Sequence, residues 1–201
     1  MPRVQVDPEQ RPILGLAIVL LLAFSAYYVL RQNDEFIIYV GVILVFLLLL
    51  LLTNHRVHYP AGLLWGLLAW SALHMAGGSI YLGATRLYER ILLPLPIAGL
   101  PILRYDQAVH AFGFGLATLA MWHLLTPWLA RPLHRGVSLG IVVAMAGLGV
   151  GALNEIVEFG VTLVVPESGV GDYQNTALDL VANLCGALLA WWWIRRGLAQ
   201  S

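Results

Sequence analysis

Gly147-Leu148-Gly149-Val150-Gly151-Ala152-Leu153-Asn154-Glu155-Ile156-Val157-Glu158-Phe159-Gly160 sets an amide and two carboxylates inside a run, Val137 to Val165, that is otherwise free of charge. Crossing a hydrocarbon layer takes about 20 apolar residues, so this run reads as a membrane helix. On such a helix Glu158 neighbours both Glu155, three residues back, and Asn154, four back. An ionisable group at membrane depth costs about 2.5–3.5 kcal/mol on insertion scales and marks a site by default. The glycines ahead of the acids let a second backbone approach closely, which is how membrane helices pack.

The rest of the chain agrees with that reading. Its 201 residues are 60% hydrophobic and 11% charged, with a mean hydropathy of +0.80. Soluble domains carry about 25% charged residues, so the composition is that of an integral membrane protein. All eleven cations are arginine, which excludes lysine Schiff-base and lysine general-base chemistry. The single Cys185 excludes an intrachain disulfide and a multi-cysteine metal site. Net charge is zero, and no basic tract points to nucleic acid.

Six spans are expected, near 13–30, 36–53, 61–82, 106–129, 136–165 and 176–194, giving a single all-α membrane bundle over residues 1–201. The first, eighteen residues long, exceeds the about 7–15 of a signal-peptide core and reads as an uncleaved span. The leucine-rich second is expected to face lipid. Between the third and fourth lies Gly83–Tyr105, too broken by proline to span and expected to lie at the interface as a cap or connector. Arginines set the orientation. Seven (Arg3, Arg11, Arg56, Arg131, Arg135, Arg195, Arg196) fall on the N-terminal side and four (Arg31, Arg86, Arg90, Arg104) opposite, which favours both termini in the cytoplasm. Trp128 and Trp191-Trp192-Trp193 read as interfacial belts on the same side.

With that topology the unusual polar residues share one layer near the outer leaflet. His74 lies eight residues before the outer end of the third span, Asp106 and His110 open the fourth one turn apart, Glu155 and Glu158 stand in the fifth, and Asp179 and Asn183 open the sixth. Two imidazoles and four carboxylates supply the ligands taken by Zn, Mn or Fe, so a divalent metal ion is the expected cofactor. Asn154, Asn183 and Asp172 would orient those ligands from behind. The spacing matches no HExxH or other zinc motif, and the bland alternative is a polar cluster that holds the bundle together. His55, His58 and His134 read as solvated or interfacial, and His123 as a buried helix contact.

Three stretches carry a resemblance: Leu73-His74-Met75-Ala76-Gly77-Gly78, Arg104-Tyr105-Asp106-Gln107-Ala108-Val109-His110 and Gly171-Asp172-Tyr173-Gln174-Asn175-Thr176-Ala177-Leu178-Asp179. With Glu155-x2-Glu158 and Asp179-x3-Asn183-x2-Gly186, the chain from His74 to Gly186 resembles the YjdF-like inner-membrane proteins and, more distantly, VanZ-like membrane proteins. Glu158 stands where the VanZ-like group commonly has Gln, and Tyr173-Gln174-Asn175 where the YjdF-like group tends to have a Trp-Asp pair. The resemblance implies a bacterial inner (plasma) membrane protein and no particular activity.

Two functions follow from the residues. In the first, a metal-dependent hydrolase or transferase acts on a lipid or lipid-linked head group, with Glu155 or Glu158 as general base and Arg86 and Arg104 on a phosphate. In the second, the acids and histidines relay a cation or protons through a transporter. Apart from His123, the inner halves of the spans offer no polar path, which favours the first. A non-catalytic scaffold stands third.

Overall fold

The structure, a computed structural model, describes residues 5–95, 102–129, 136–166 and 168–198. Among the sequence features, Arg3, Pro96, Gly99-Leu100-Pro101, Arg131, His134 and Arg135 lie outside them. Six α-helices form one bundle: α1 (Arg11–Arg31), α2 (Asp34–Val57), α3 (Ala61–Ser79), α4 (Tyr105–Leu125), α5 (Val137–Val164) and α6 (Tyr173–Gly197). The all-α membrane bundle expected from the sequence is the fold.

Local chemistry places the helix ends. α1 stops at Gln32, whose left-handed backbone (φ 50) turns the chain, and Asn33 caps α2 by accepting from the Phe36 amide. Asp34 and Glu35 in that first turn complement the positive end of the helix. Asp172 caps α6 through the Asn175 amide.

Five of the six helices are long and apolar enough to cross a membrane by length and composition. The exception is α3, whose hydropathy is lowered by Trp65, Trp70, His74 and four glycines. α4, α5 and α6 form the centre, with the most extensive contact between α4 and α6; α3 packs on α4, and α1 lies against α2 and α3. Apolar side chains such as Val19, Leu22, Val142, Ile156 and Leu189 point outward, as they must where the surroundings are lipid tails. The middle of α2 behaves as expected, with Leu44, Val45, Leu48 and Leu49 exposed. Its first turns do not: Glu35, Phe36, Tyr39 and Val40 are buried.

The connector departs most from the sequence reading. The third helix ends at Ser79 rather than near residue 82, because Ile80 is already extended and the chain enters a hairpin. β1 (Tyr81–Leu82) pairs antiparallel with β2 (Thr85–Arg86) across a turn in which Gly83 has φ 71. A 3-10 turn (Leu87–Glu89) follows, then β3 (Ile91–Leu95), antiparallel to β4 (Ile102–Arg104). Pro94 is tolerated because such a ribbon has edges on both sides.

At the opposite end of the bundle Gln10 and Asn54 form a buried reciprocal amide pair. The Asn54 amide nitrogen donates to Gln10 Oε1 at 2.7 Å, and Gln10 Nε2 donates to Asn54 Oδ1 at 3.2 Å and to the Tyr59 carbonyl at 2.8 Å. This pair ties the starts of α1 and α3 to the end of α2 and spends every polar group it brings. His58 meets Asp7 at 3.1 Å, and His123, half-buried rather than buried, sets its ring against Tyr59 in the α2–α3 connection.

Candidate metal centre

His110 occupies the middle of the cluster. Asp106 is one turn before it on α4 and points its Oδ1 at Nε2 from 3.5 Å. From α5, Glu158 Oε1 approaches the same nitrogen at 3.9 Å, while Glu155 Oε1 lies 3.6 Å from Nδ1. From α6, Asn183 Oδ1 is 3.2 Å from Nδ1. An amide oxygen only accepts, so this contact makes Nδ1 the protonated nitrogen and leaves the Nε2 lone pair facing Asp106 and Glu158.

Asp179 completes the ring. One ligand atom each from Asp106, His110 and Asp179 lies within 4.8 Å of the other two, and the same holds for His110, Glu155 and Glu158. Asp179 and Asn183 are wholly buried, and His110 and Glu155 nearly so. Asp106 and Glu158 keep the most accessible side chains, 18% and 13% exposed, and form the rim.

The helices meet here because glycine lets them. A Cβ on Gly186 of α6 would stand 2.0 Å from the Ala111 carbonyl oxygen of α4, so the two backbones touch beside His110 and one turn from Asn183. On α5, a Cβ on Gly147 would strike Thr118 and one on Gly151 would lie 2.7 Å from Asn183 Nδ2. The face expected to pack closely is the one turned toward α4 and α6.

The donors around the acids are few. Asn154 Nδ2 donates to Glu158 Oε1 at 2.7 Å, and Asn175 Nδ2 to Asp179 Oδ2 at 2.6 Å. Among the described residues both Glu155 oxygens and Asp179 Oδ1 are buried without a well-formed hydrogen bond, the Asn154 and Asn183 amides being the donors that face Glu155. A buried unsatisfied acceptor costs about 1–3 kcal/mol, so three would cost about 3–9 kcal/mol, comparable to a whole protein's net stability of about 5–15. A cation among the acids would remove that cost. Neighbouring ligands on a tetrahedral ion with ~2.1 Å bonds sit ~3.4 Å apart, and around His110 Nε2 the Asp106 and Glu158 oxygens stand at 3.5 and 3.9 Å. The donor set, one imidazole and four carboxylates, suits Zn, Mn or Fe.

Of the residues singled out in the sequence, Asp106, His110, Glu155, Glu158 and Asp179 come together, with Asn154 and Asn183 in contact with them. His74 stands outside the two gathered sets. Its Nδ1 is 2.5 Å from the Tyr88 hydroxyl, and its ring is stacked on Trp70 and set edge-on to Tyr39, each with centroids 5.5 Å apart. Burial, with Asp106 and Glu158 nearby, pushes the Tyr88 phenol well above its ordinary range, so it keeps its proton. Asp172 caps α6 from an exposed position instead of facing the acids. Arg86 is committed elsewhere: Nη1 reaches Glu35 Oε2 at 3.4 Å, and Nε donates to the Tyr81 hydroxyl at 3.0 Å. Arg104 meets the cluster through Asn175, donating from Nη1 to its Oδ1 at 3.1 Å, and its buried Nε has no acceptor among the described residues.

Three participants escaped the sequence reading. Glu35, buried at the start of α2, accepts from Arg86 and from the Gly169 amide at 2.7 Å, fastening the hairpin and the α5–α6 loop together. Gln107 caps α4, its Oε1 accepting from the Leu103 and Arg104 amides at 2.6 and 3.2 Å. Asn175 did carry a signal: it precedes Asp179 by four residues, as Asn154 precedes Glu158.

A family described as predicted membrane protein (DUF2238) matches the chain over residues 12–199. No curated protein and no solved structure matches it.

Proposed function

Since the chain belongs to the DUF2238 family of predicted membrane proteins, matched from residue 12 to residue 199, we propose that it is a membrane protein built to hold a divalent cation on His110. The YjdF-like resemblance agrees with that membership, whereas no match supports the VanZ-like one. The observation that carries the reading is that both Glu155 oxygens and Asp179 Oδ1 are buried without a well-formed hydrogen bond among the described residues, in a group of four acids around a single imidazole. His110 Nε2, Asp106, Glu155, Glu158 and Asp179 are the proposed ligands. In this reading the chain lies in the bacterial inner membrane with both termini cytoplasmic and the cluster toward the outer leaflet.

The reaction proposed is hydrolysis or transfer at a lipid or lipid-linked head group. An ion held at His110 supplies Lewis-acid polarisation of the reacting ester. Glu158, on the accessible rim, takes the proton of the attacking water, with Glu155 behind it. Arg104, whose Nε has no acceptor among the described residues, is the proposed partner for a head-group phosphate, whereas Arg86 is held by Glu35. Transport is the alternative. Below the cluster, however, Thr118 turns its hydroxyl back onto the Phe114 carbonyl at 2.6 Å, and His123 packs on Tyr59, so neither offers a step in a relay.

The test is head-group release from phospholipid vesicles carrying the protein, assayed with added Zn or Mn and compared with Glu158→Gln. The proposal expects metal-dependent release that falls by at least about 100-fold in the variant, the scale of a lost general base. Release that is equal in variant and wild type, or absent with every metal and phospholipid, contradicts the enzymatic half of the reading.

A further inference from the structure

We infer that Asn175 is a positioning residue: it holds Asp179 as a one-oxygen ligand and couples that ligand to Arg104 of the connector. The inference rests on the metal reading above and assigns a role to a residue that the sequence reading had given none.

The local geometry begins with the helix cap. Asp172 accepts from the Asn175 backbone amide at 3.0 Å, so the first turn of α6 is satisfied without the Asn175 side chain. That side chain is therefore spare, and both its ends are used. Its Oδ1 accepts from Arg104 Nη1 at 3.1 Å, and its Nδ2 donates to Asp179 Oδ2 at 2.6 Å. The two contacts fix which way the amide faces, because a guanidinium only donates and so must meet the oxygen. The nitrogen is then turned to Asp179, and Asp179 Oδ2 must accept.

The consequence falls on the other oxygen. With Oδ2 engaged, Asp179 Oδ1 is left buried without a partner among the described residues, on the carboxylate that joins Asp106 and His110. One oxygen is anchored and one is offered, the arrangement of a carboxylate that binds an ion through a single atom. α5 repeats the device: Asn154, four residues before Glu158, donates to its Oε1 at 2.7 Å. Two helices thus use an asparagine one turn upstream to hold an acid of the cluster. Only the α6 copy is linked to the connector, through Arg104 just ahead of α4.

Asn175→Asp separates the two contacts, since aspartate still accepts from Arg104 but cannot donate to Asp179. Purified protein in lipid nanodiscs is titrated with Co, as a coloured divalent probe, and with Zn in competition. The expected result is a 10–100-fold weaker Kd, the usual effect of losing a group that orients a ligand. A changed Co absorption spectrum should accompany it. Asn175→Ser, whose hydroxyl can still donate, should recover part of the affinity. Wild-type affinity in Asn175→Asp overturns the inference. So does a variant whose metal-free form melts lower while its Co spectrum is unchanged, since that marks a residue serving only the fold. If the wild-type protein binds neither metal, the reading beneath the inference has failed and the inference falls with it.

Discussion

Gly186→Ala adds one methyl group where α4 and α6 touch. The new Cβ would lie 2.0 Å from the Ala111 carbonyl oxygen and 2.9 Å from the Gly115 amide nitrogen. Both are backbone atoms, so no side chain can swing aside. An ordinary contact begins near 3.4 Å, so the helices must part by about 1.4 Å, the difference between 3.4 and 2.0. Overpacking of this kind costs about 1–3 kcal/mol. The same separation stretches the His110–Asn183 contact, 3.2 Å at present and one turn away, past hydrogen-bond range. Its loss adds about 0.5–1.5 kcal/mol. A total near 3 kcal/mol corresponds to a fall in Tm of about 6–12 °C for a chain of this length. The assay is thermal unfolding in nanodiscs, with bound metal measured on the same samples. Gly149→Ala is the control, because its Cβ would meet nothing within 4 Å and alanine is the better helix former by up to about 1 kcal/mol. If Gly186→Ala melts with the wild type and keeps its metal, α4 and α6 do not cross at Gly186 and the site geometry is wrong.

Two further outcomes follow from the fold. Glu35→Ala removes the acceptor shared by Arg86 and the Gly169 amide, each bond to a charged group being worth about 1.5–3 kcal/mol. It should lower Tm and speed proteolysis in the 165–172 loop, and unchanged cleavage there would show that Glu35 does not fasten the loop. With Cys185 replaced, a cysteine at Ser168 should react with an impermeant thiol reagent added outside intact cells, whereas reaction only after permeabilisation would reverse the proposed orientation.

The bundle was legible because its signal is long-range and redundant: apolar runs of about 20 residues have few other uses. The convergence of Asp106, His110, Glu155, Glu158 and Asp179 was legible for a related reason, since alternating helix direction brings the start of an even helix beside the end of an odd one. His74 shows the limit of that reasoning. Topology puts it in the right layer, but whether an imidazole turns to carboxylates or to Tyr88 and Trp70 depends on helix rotation, which hydropathy does not encode. The hairpins were hidden by their brevity, with strands of two to five residues carrying too little alternation to read. Arg86 was assigned to substrate because its partner Glu35 is 51 residues away, at the head of a helix whose leucines otherwise read as plain lipid-facing surface.

The central claim is that a cation neutralises the acids around His110. Its most direct measurement is elemental analysis of the wild-type protein and of a Glu155→Ala/Glu158→Ala variant, both purified into nanodiscs without chelator, followed by melting with and without EDTA. A divalent metal should be present at one or more equivalents per wild-type chain and lost from the variant. Chelation should lower the wild-type Tm, since an ion that binds only the folded state stabilises it by about 2.7 kcal/mol at 100 times its Kd. A wild-type protein that carries no metal, takes none up, and melts at the same temperature with and without EDTA would contradict the account.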